Sequence, residues 1–414
     1  MTTRSSIACA LLLVAAACAP NDGVSGDPPA LLSALPRALS APESAVIAAD
    51  NQLGFDLLAR ARAASPGGNV LLSPLSAGMV LGMAVNGAAG ATLDSMRIAL
   101  RLGNTSITDI DAGYRSLLSL LGSLDGSTTF SIANSIWADK TLPVLPAFLD
   151  AGRISFNAEV QNLDLRAPAS VGTINNWVSA KTNGKIPLIV KAIDPADVML
   201  LINAIYFKGH WRNGFDPSKT NNGEFHTAAG AVQTAPMMSL GGKFTFAFTT
   251  DAQVVELPYG NGAFVMTIAI PADGHSINEM MNGLDAAHFA GWVAQLKDGD
   301  LDLTMPKFTF DYTHDLNDDL SALGMRLAFD SRAADFSRIA TLPAGDRLYI
   351  SRVTQKTFVD VNEDGTEAAA VTSVGIARTS SKTSVIEVNQ PFLFVLRERL
   401  SGTIFFVGQV NQIP

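Results

Sequence analysis

Hydrophobic and polar positions change their period about halfway along the chain. In the first half, apolar residues recur every three to four positions. Leu53, Leu57, Leu58 and Ala61 share one face of a helix that Asp50 can cap and that runs through Arg62. Ser76 can cap a second helix, rich in Ala and Gly, through Met79, Met83 and Ala84. Being small and apolar on all sides, that helix is predicted to be buried. Thr92 to Leu102 predicts a third, and Ser170 to Thr182, with Ile174, Trp177 and Val178, a fourth. The second half reads as strands. Val198 to Phe207 is an apolar run suited to a strand buried on both faces. Val254 to Pro258 and Phe264 to Ile270 flank Tyr259-Gly-Asn-Gly262, a hairpin signal. Leu301 to Met305 and Phe308 to Phe310 alternate, as does Lys356 to Val361. Phe392 to Leu396 and Thr403 to Val407 flank Ser401-Gly402 as a last hairpin. Helices first and antiparallel strands later predict an α+β fold.

Composition narrows the function. The 414 residues are 48% hydrophobic and 16% charged, against roughly 25% charged in an average soluble protein. Such a chain is not intrinsically disordered. A net charge of −9 argues against a nucleic-acid partner. The two cysteines, Cys9 and Cys18, both lie near the N-terminus, which excludes a disulfide framework or a cysteine-ligated metal in the body. The five histidines are scattered, and no hydrolase, zinc or phosphate-loop motif occurs. No enzymatic activity, cofactor or metal is expected.

The first residues read as an export signal. Arg4 precedes an apolar run, Ile7 to Ala17, too short to span a bilayer. It ends in Val14-Ala15-Ala16-Ala17-Cys18, which resembles a bacterial lipoprotein box with Ala15 where that motif prefers leucine. Two readings stand: cleavage before a lipidated Cys18, or an ordinary secretory cut. The expected division is a signal over 1–17, a Pro/Gly-rich flexible tether over 18–44 and one folded domain over 45–414. The protein would be an exported envelope lipoprotein, at the outer membrane or surface, or a secreted protein. Any membrane contact would pass through the lipid alone.

One segment near the C-terminus invites a false reading. Asp360-Val-Asn362-Glu-Asp364-Gly365 copies the first half of a calcium loop, but the position that needs a bidentate glutamate is Val371, and the flanks alternate like strands. From Gly365 to Ser381 the chain is small and nearly free of aromatic residues. A loop this long inside a compact domain means function or disorder. Alternate residues Thr366, Ala368, Ala370, Thr372, Val374 and Ile376 are uncharged. The loop could therefore become a central strand without burying a charge on that face.

Here the chain resembles the serpin family over essentially all of 45–414. The resemblance lies in Asn69-Val-Leu-Leu-Ser-Pro-Leu-Ser76, Asn203-Ala-Ile-Tyr-Phe-Lys-Gly-His-Trp211, Phe225 with Pro236-Met-Met238, and Pro306-Lys307. It continues in Asp335-Phe-Ser337, Val361-Asn-Glu-Asp-Gly-Thr-Glu-Ala-Ala-Ala370, Pro391-Phe-Leu-Phe394 and Gly408-Gln-Val410. Each string is short; their order along the chain is what identifies the family.

The resemblance implies three β-sheets with eight or nine helices, and an exposed reactive-centre loop over about 363–385. It implies a monomeric suicide inhibitor of serine endopeptidases, with cysteine endopeptidases as a further class. The protease cuts the loop, is held as an acyl-enzyme, and is carried off as the loop inserts into the main sheet. A non-inhibitory serpin acting as a binding, carrier or chaperone protein is the alternative. By resemblance, Glu363, Gly365, Thr366, Glu367, Ala368, Ala369 and Ala370 form the hinge. Glu363 pairs with Lys307. Ser73, Ser76, Asn203 and His314 belong to the shutter beneath the sheet, and Trp211 to the point where insertion begins. Gln355 stands where many members carry a shutter histidine, so pH-dependent opening through that site is not expected. The family's spacing places the scissile bond at Thr379–Ser380. Chemistry favours Arg378–Thr379, because arginine suits a trypsin-like pocket. If Thr379 is the anchor, an elastase- or subtilisin-like target is expected.

Overall fold

The computed structural model describes residues 29–366 and 383–414. Among them, nine α-helices pack around two hydrogen-bonded networks of strands. One network is a six-stranded sheet. In spatial order it runs β10 (Phe308–Asp315), β11 (Thr354–Asn362), β12 (Gly365–Thr366), β4 (Met199–His210), β2 (Thr129–Asp139) and β3 (Ala158–Leu163). The other begins β1 (Val70–Leu72), β15 (Ile404–Val410), β14 (Phe392–Glu398), β8 (Phe264–Pro271) and β7 (Ala252–Pro258). It ends β6 (Val232–Phe248), β9 (Lys297–Pro306) and β13 (Ser384–Glu387), with β5 (Asn221–His226) added to β6.

Three sheets were expected; among the described residues the strands form two, the larger of them running through one shared strand. β6 is 17 residues long. Its first part pairs with β5 and β9, and its last residues, Thr245 to Phe248, pair with β7. A strand that long serves both ladders, so they run together.

The helices are α1 (Ala41–Ala64), α2 (Pro74–Gly87), α3 (Gly90–Ala99), α4 (Ile107–Leu121), α5 (Pro146–Phe156), α6 (Ala169–Lys181), α7 (Ile277–Met281), α8 (Ala286–Val293) and α9 (Asn317–Ala322). Two predicted caps are corrected. Asp50 does not start the first helix. Ser40 does, with Glu43 completing a capping box, so the expected tether boundary at 44 lies inside α1. Asp50 sits in the helix interior, fully buried, where Tyr114 donates to its Oδ1 at 2.8 Å. The second helix is capped by Ser73 rather than Ser76, because Pro74 takes the first helical position, where a missing N–H does no harm. As expected, α2 is buried along nearly its whole length.

The core is one continuous cluster running from α1 and α2 through β7, β8, β14 and β15. A smaller cluster lies on the other face of the six-stranded sheet. There Ile174 and Val178 of α6 cover Trp137, Ile202 and Ala204. Both faces of β4 are thereby covered, as its apolar run predicted.

Candidate functional site

The middle of the six-stranded sheet holds an unusual feature, a strand two residues long. Leaving β11, the chain turns at Glu363-Asp364 and re-enters the sheet as β12. Thr366 pairs with Val361 of β11 on one side and with Gly209 of β4 on the other. Both pairings are antiparallel, so β4 and β11 run parallel to each other and, among the described residues, are joined only through β12. Below Thr366 they part. A small cavity lined by Ile205, Phe207, Phe358 and Val359 lies next to Thr366. A larger one of about 400 Å³ follows, between Met199 to Asn203 of β4 and Thr354 to Lys356 of β11. Both are lined by β4 and β11 residues that precede the pairing partners of Thr366, so they mark an open slot on that side of β12.

At the upper end the polar groups of the turn are engaged, although His210 Nδ1 is enclosed without a partner. Gly365 is required there. At its φ of +150°, an added Cβ would lie 2.0 Å from the Gly209 carbonyl oxygen. The Glu363 carboxylate takes Lys307 Nζ at 2.7 Å and the Thr220 hydroxyl at 2.8 Å, while its backbone oxygen accepts from Phe215 N–H at 2.9 Å. Burial alone would raise this carboxyl. The hydrogen bonds from Lys307 and Thr220 outweigh it and hold the group below its ordinary value. Trp211 fixes the turn twice: its indole N–H donates to Asn362 O and its backbone N–H to Asp364 O, both at 2.9 Å. Its ring stacks on Tyr259 at 4.4 Å, and the buried Tyr259 hydroxyl shares a 2.6 Å hydrogen bond with Thr366 Oγ1. Burial pushes the Tyr259 hydroxyl far above an ordinary tyrosine, so it stays neutral.

The lower end is organised around Gln355. Its side-chain amide accepts from Ser73 N–H and donates to Ser73 O, both at 2.8 Å, pinning the start of α2 beneath β11. Ser73 Oγ in turn accepts from Ser76 N–H at 3.3 Å. Thr357 adds a bond to Leu71 O at 2.8 Å. Asn203 donates to Asn134 Oδ1 at 2.7 Å, while its own Oδ1 is enclosed without a partner. Ser76, Asn203 and Gln355 all line the larger cavity.

The structure thus brings together Glu363, Lys307, Trp211, Gly365 and Thr366 above, and Ser73, Ser76, Asn203 and Gln355 below. His314 lies opposite Gln355 in the β10–β11 ladder, but its bonds lead away from Ser73. Its Nε2 meets Asp319 Oδ2 at 2.6 Å, and Arg60 holds the other Asp319 oxygen at 2.9 Å. Glu367, Ala368, Ala369, Ala370, Arg378, Thr379, Ser380 and Cys18 lie outside the described residues. Sequence reasoning missed Tyr259, which it used only as a turn marker, and Thr220, Thr357 and Asn134, which carried no motif.

The site is thus a two-residue strand seated between β4 and β11, above two cavities that lie between the same strands. Residues 48–413 match the family model described as serpin (serine protease inhibitor). The chain belongs to the serpins. It is 34% identical to Iripin-2 of Ixodes ricinus, over 93% of this chain and 98% of that one. It is 32% identical to the leukocyte elastase inhibitor of Bos taurus, over 88% and 98%. Among solved structures it resembles the native state of the thermophilic serpin tengpin, with a TM-score of 0.82 and 30% identity over 92% and 98% of the two chains. It also resembles thyroxine-binding globulin complexed with thyroxine, with a TM-score of 0.80 and 26% identity over 89% and 99%. The fold is the serpin fold, and the family is one of protease inhibitors.

Proposed function

We propose that this serpin is a suicide inhibitor of serine endopeptidases that traps its target by inserting its cleaved loop into the six-stranded sheet. The observation that carries this reading is β12, seated between β4 and β11 at the head of an open slot. Continuing its register puts Ala368, Ala370 and Thr372 opposite Phe207, Ile205 and Asn203 of β4, and opposite Val359, Thr357 and Gln355 of β11. The small, uncharged residues would then meet an apolar surface, and Thr372 would meet the polar one. Of the two bait bonds, Arg378–Thr379 offers a trypsin-like protease its cation, and Thr379–Ser380 suits an elastase- or subtilisin-like one. Export behind residues 1–17 and an anchor at Cys18 belong to the same proposal and rest on the sequence.

Incubation with trypsin, subtilisin and elastase tests it. The expected result is a protease complex that survives SDS, with the scissile bond given by the mass of the released C-terminal fragment. A carrier reading draws on the likeness to thyroxine-binding globulin and on the 400 Å³ cavity. It predicts loop cleavage by all three proteases with no complex at any ratio.

A further inference from the structure

The chain ahead of α1 does not simply lead into the domain. Residues 29–32 lie along the turn Tyr259–Gly262 that joins β7 to β8. Leu32 N–H donates to Asn261 O at 2.8 Å. Two guanidiniums then bridge the arm and the turn from opposite ends. Arg212 Nη1 donates to Pro29 O at 2.5 Å and to Gly260 O at 3.1 Å. Arg399 donates through Nε to Gly262 O at 2.8 Å and through Nη2 to Leu32 O. Both arginines are themselves held by backbone bonds, Arg212 N–H to Pro258 O at 2.7 Å and Arg399 N–H to Ala263 O at 2.8 Å. The arm and the turn also approach closely. At Gly262, with φ of +77°, an added Cβ would lie 2.5 Å from Leu31 Cδ1. Leu32 is half-buried against the core. From the other side, Asp125 accepts Asn261 N–H at 3.1 Å.

This turn begins with Tyr259, the residue whose hydroxyl bonds Thr366 and whose ring stacks on Trp211, the neighbour of Arg212. We infer that residues 29–32 are a positioning strap for the upper end of the slot, and that Arg212 and Arg399 are positioning residues. They fix the 259–262 turn and thereby hold the Tyr259 hydroxyl where Thr366 must sit for β12 to form. Every bridging bond ends on a backbone carbonyl, charge-assisted on the arginine side. The strap therefore depends on the arm's path more than on its side chains.

The consequence for inhibition rests on the insertion reading above. A loosely seated Thr366 slows the first step of insertion, and an acyl-enzyme has longer to hydrolyse and escape. The strap itself is independent of that reading, so two readouts separate them. Two variants should agree: a chain beginning at Ser33, which removes the arm, and the full chain carrying Arg212→Ala with Arg399→Ala, which releases it. Amide hydrogen exchange at Gly365 and Thr366 should quicken about ten-fold or more in both, as losing two or three hydrogen bonds implies. Exchange in α6 and β3 should be unchanged. With a protease that the parent chain traps, the ratio of cleaved to trapped inhibitor should rise several-fold while the rate of first attack stays the same. Unchanged exchange at Thr366 in either variant, or a uniform quickening throughout the domain, overturns the strap. If the parent chain traps no protease, the inhibitory reading fails and the exchange result still decides the strap.

Discussion

The two ends of one slot are built in opposite ways. At the upper end the polar groups of Glu363, Trp211 and Tyr259 are all engaged, and Thr366 already occupies its place between two strands. At the lower end Asn203 and Gln355 face a cavity of about 400 Å³, and Asn203 Oδ1 has no partner. One end already holds two paired residues, and the other holds none among the described residues. Under the proposed mechanism the contrast gives insertion a direction, because a strand extends most readily from a pairing already made, and the burial it gains lies further down. It also separates two kinds of mutation. Changes above should alter whether insertion starts, and changes below should alter how firmly the unfilled sheet is held.

The sharpest way to break the upper end is Gly365→Val. Its side chain would meet Gly209 O and force a strained backbone, at about 3 kcal/mol or more. Protease should then cleave the loop without being trapped, seen on SDS gels as product with no complex. Thr366→Arg should act the same way, since it puts an unpaired charge beside the buried Tyr259 hydroxyl. A complex that survives SDS with either variant would contradict the account of the upper end.

At the lower end, Gln355→Ala leaves Ser73 N–H without a partner inside the domain and Ser73 O with the Ala77 N–H alone. The loss should be about 2 kcal/mol, read as a lower melting temperature of the uncleaved chain. Trapping should persist, since the hinge is untouched. Glutamine does not titrate, so the stability of the parent chain should show no step near neutral pH from this site, whereas Gln355→His should introduce one.

The smallest expected effect belongs to Lys307→Met. Lys307 is 37% exposed, so the pair with Glu363 should contribute only about 1 kcal/mol. Its pH signature is more telling than its size. Glu363 titrates below its ordinary value when folded, so its stabilising contribution is present at neutral pH. That contribution is lost as pH falls through the lowered value, beneath the usual carboxylate range near 4.3. Unfolding followed from pH 6 to pH 3 should show a slope that Lys307→Met flattens.

Much of this was legible in the sequence because it is local. The alternation after Lys356, the glycine at 365 and the uncharged hinge residues mark a strand and its continuation without reference to anything distant. Ser73 was legible too, through Pro74, and was misplaced by three residues only because Ser76 also fits a cap. The start of α1 was misread because Asp50 has cap chemistry, while the capping box of Ser40 and Glu43 lies among prolines that look like linker. Helix α4 was missed although Ile110, Tyr114, Leu117 and Leu121 carry helical spacing. What the sequence does not contain is adjacency. Tyr259 matters because a hairpin turn is folded against the end of β4. His314 leaves its expected partners because its ring bonds Asp319, which Arg60 holds in turn. The arm matters because arginines from two distant segments meet its carbonyls.

The central claim is that the slot below Thr366 accepts the loop, and thermal unfolding before and after a single cut in the loop tests it most directly. If the cut loop fills the slot as a full strand, the melting temperature should rise by tens of degrees, in line with burial of a further central strand. A cleaved chain that melts where the intact chain does, or below it, would contradict the account.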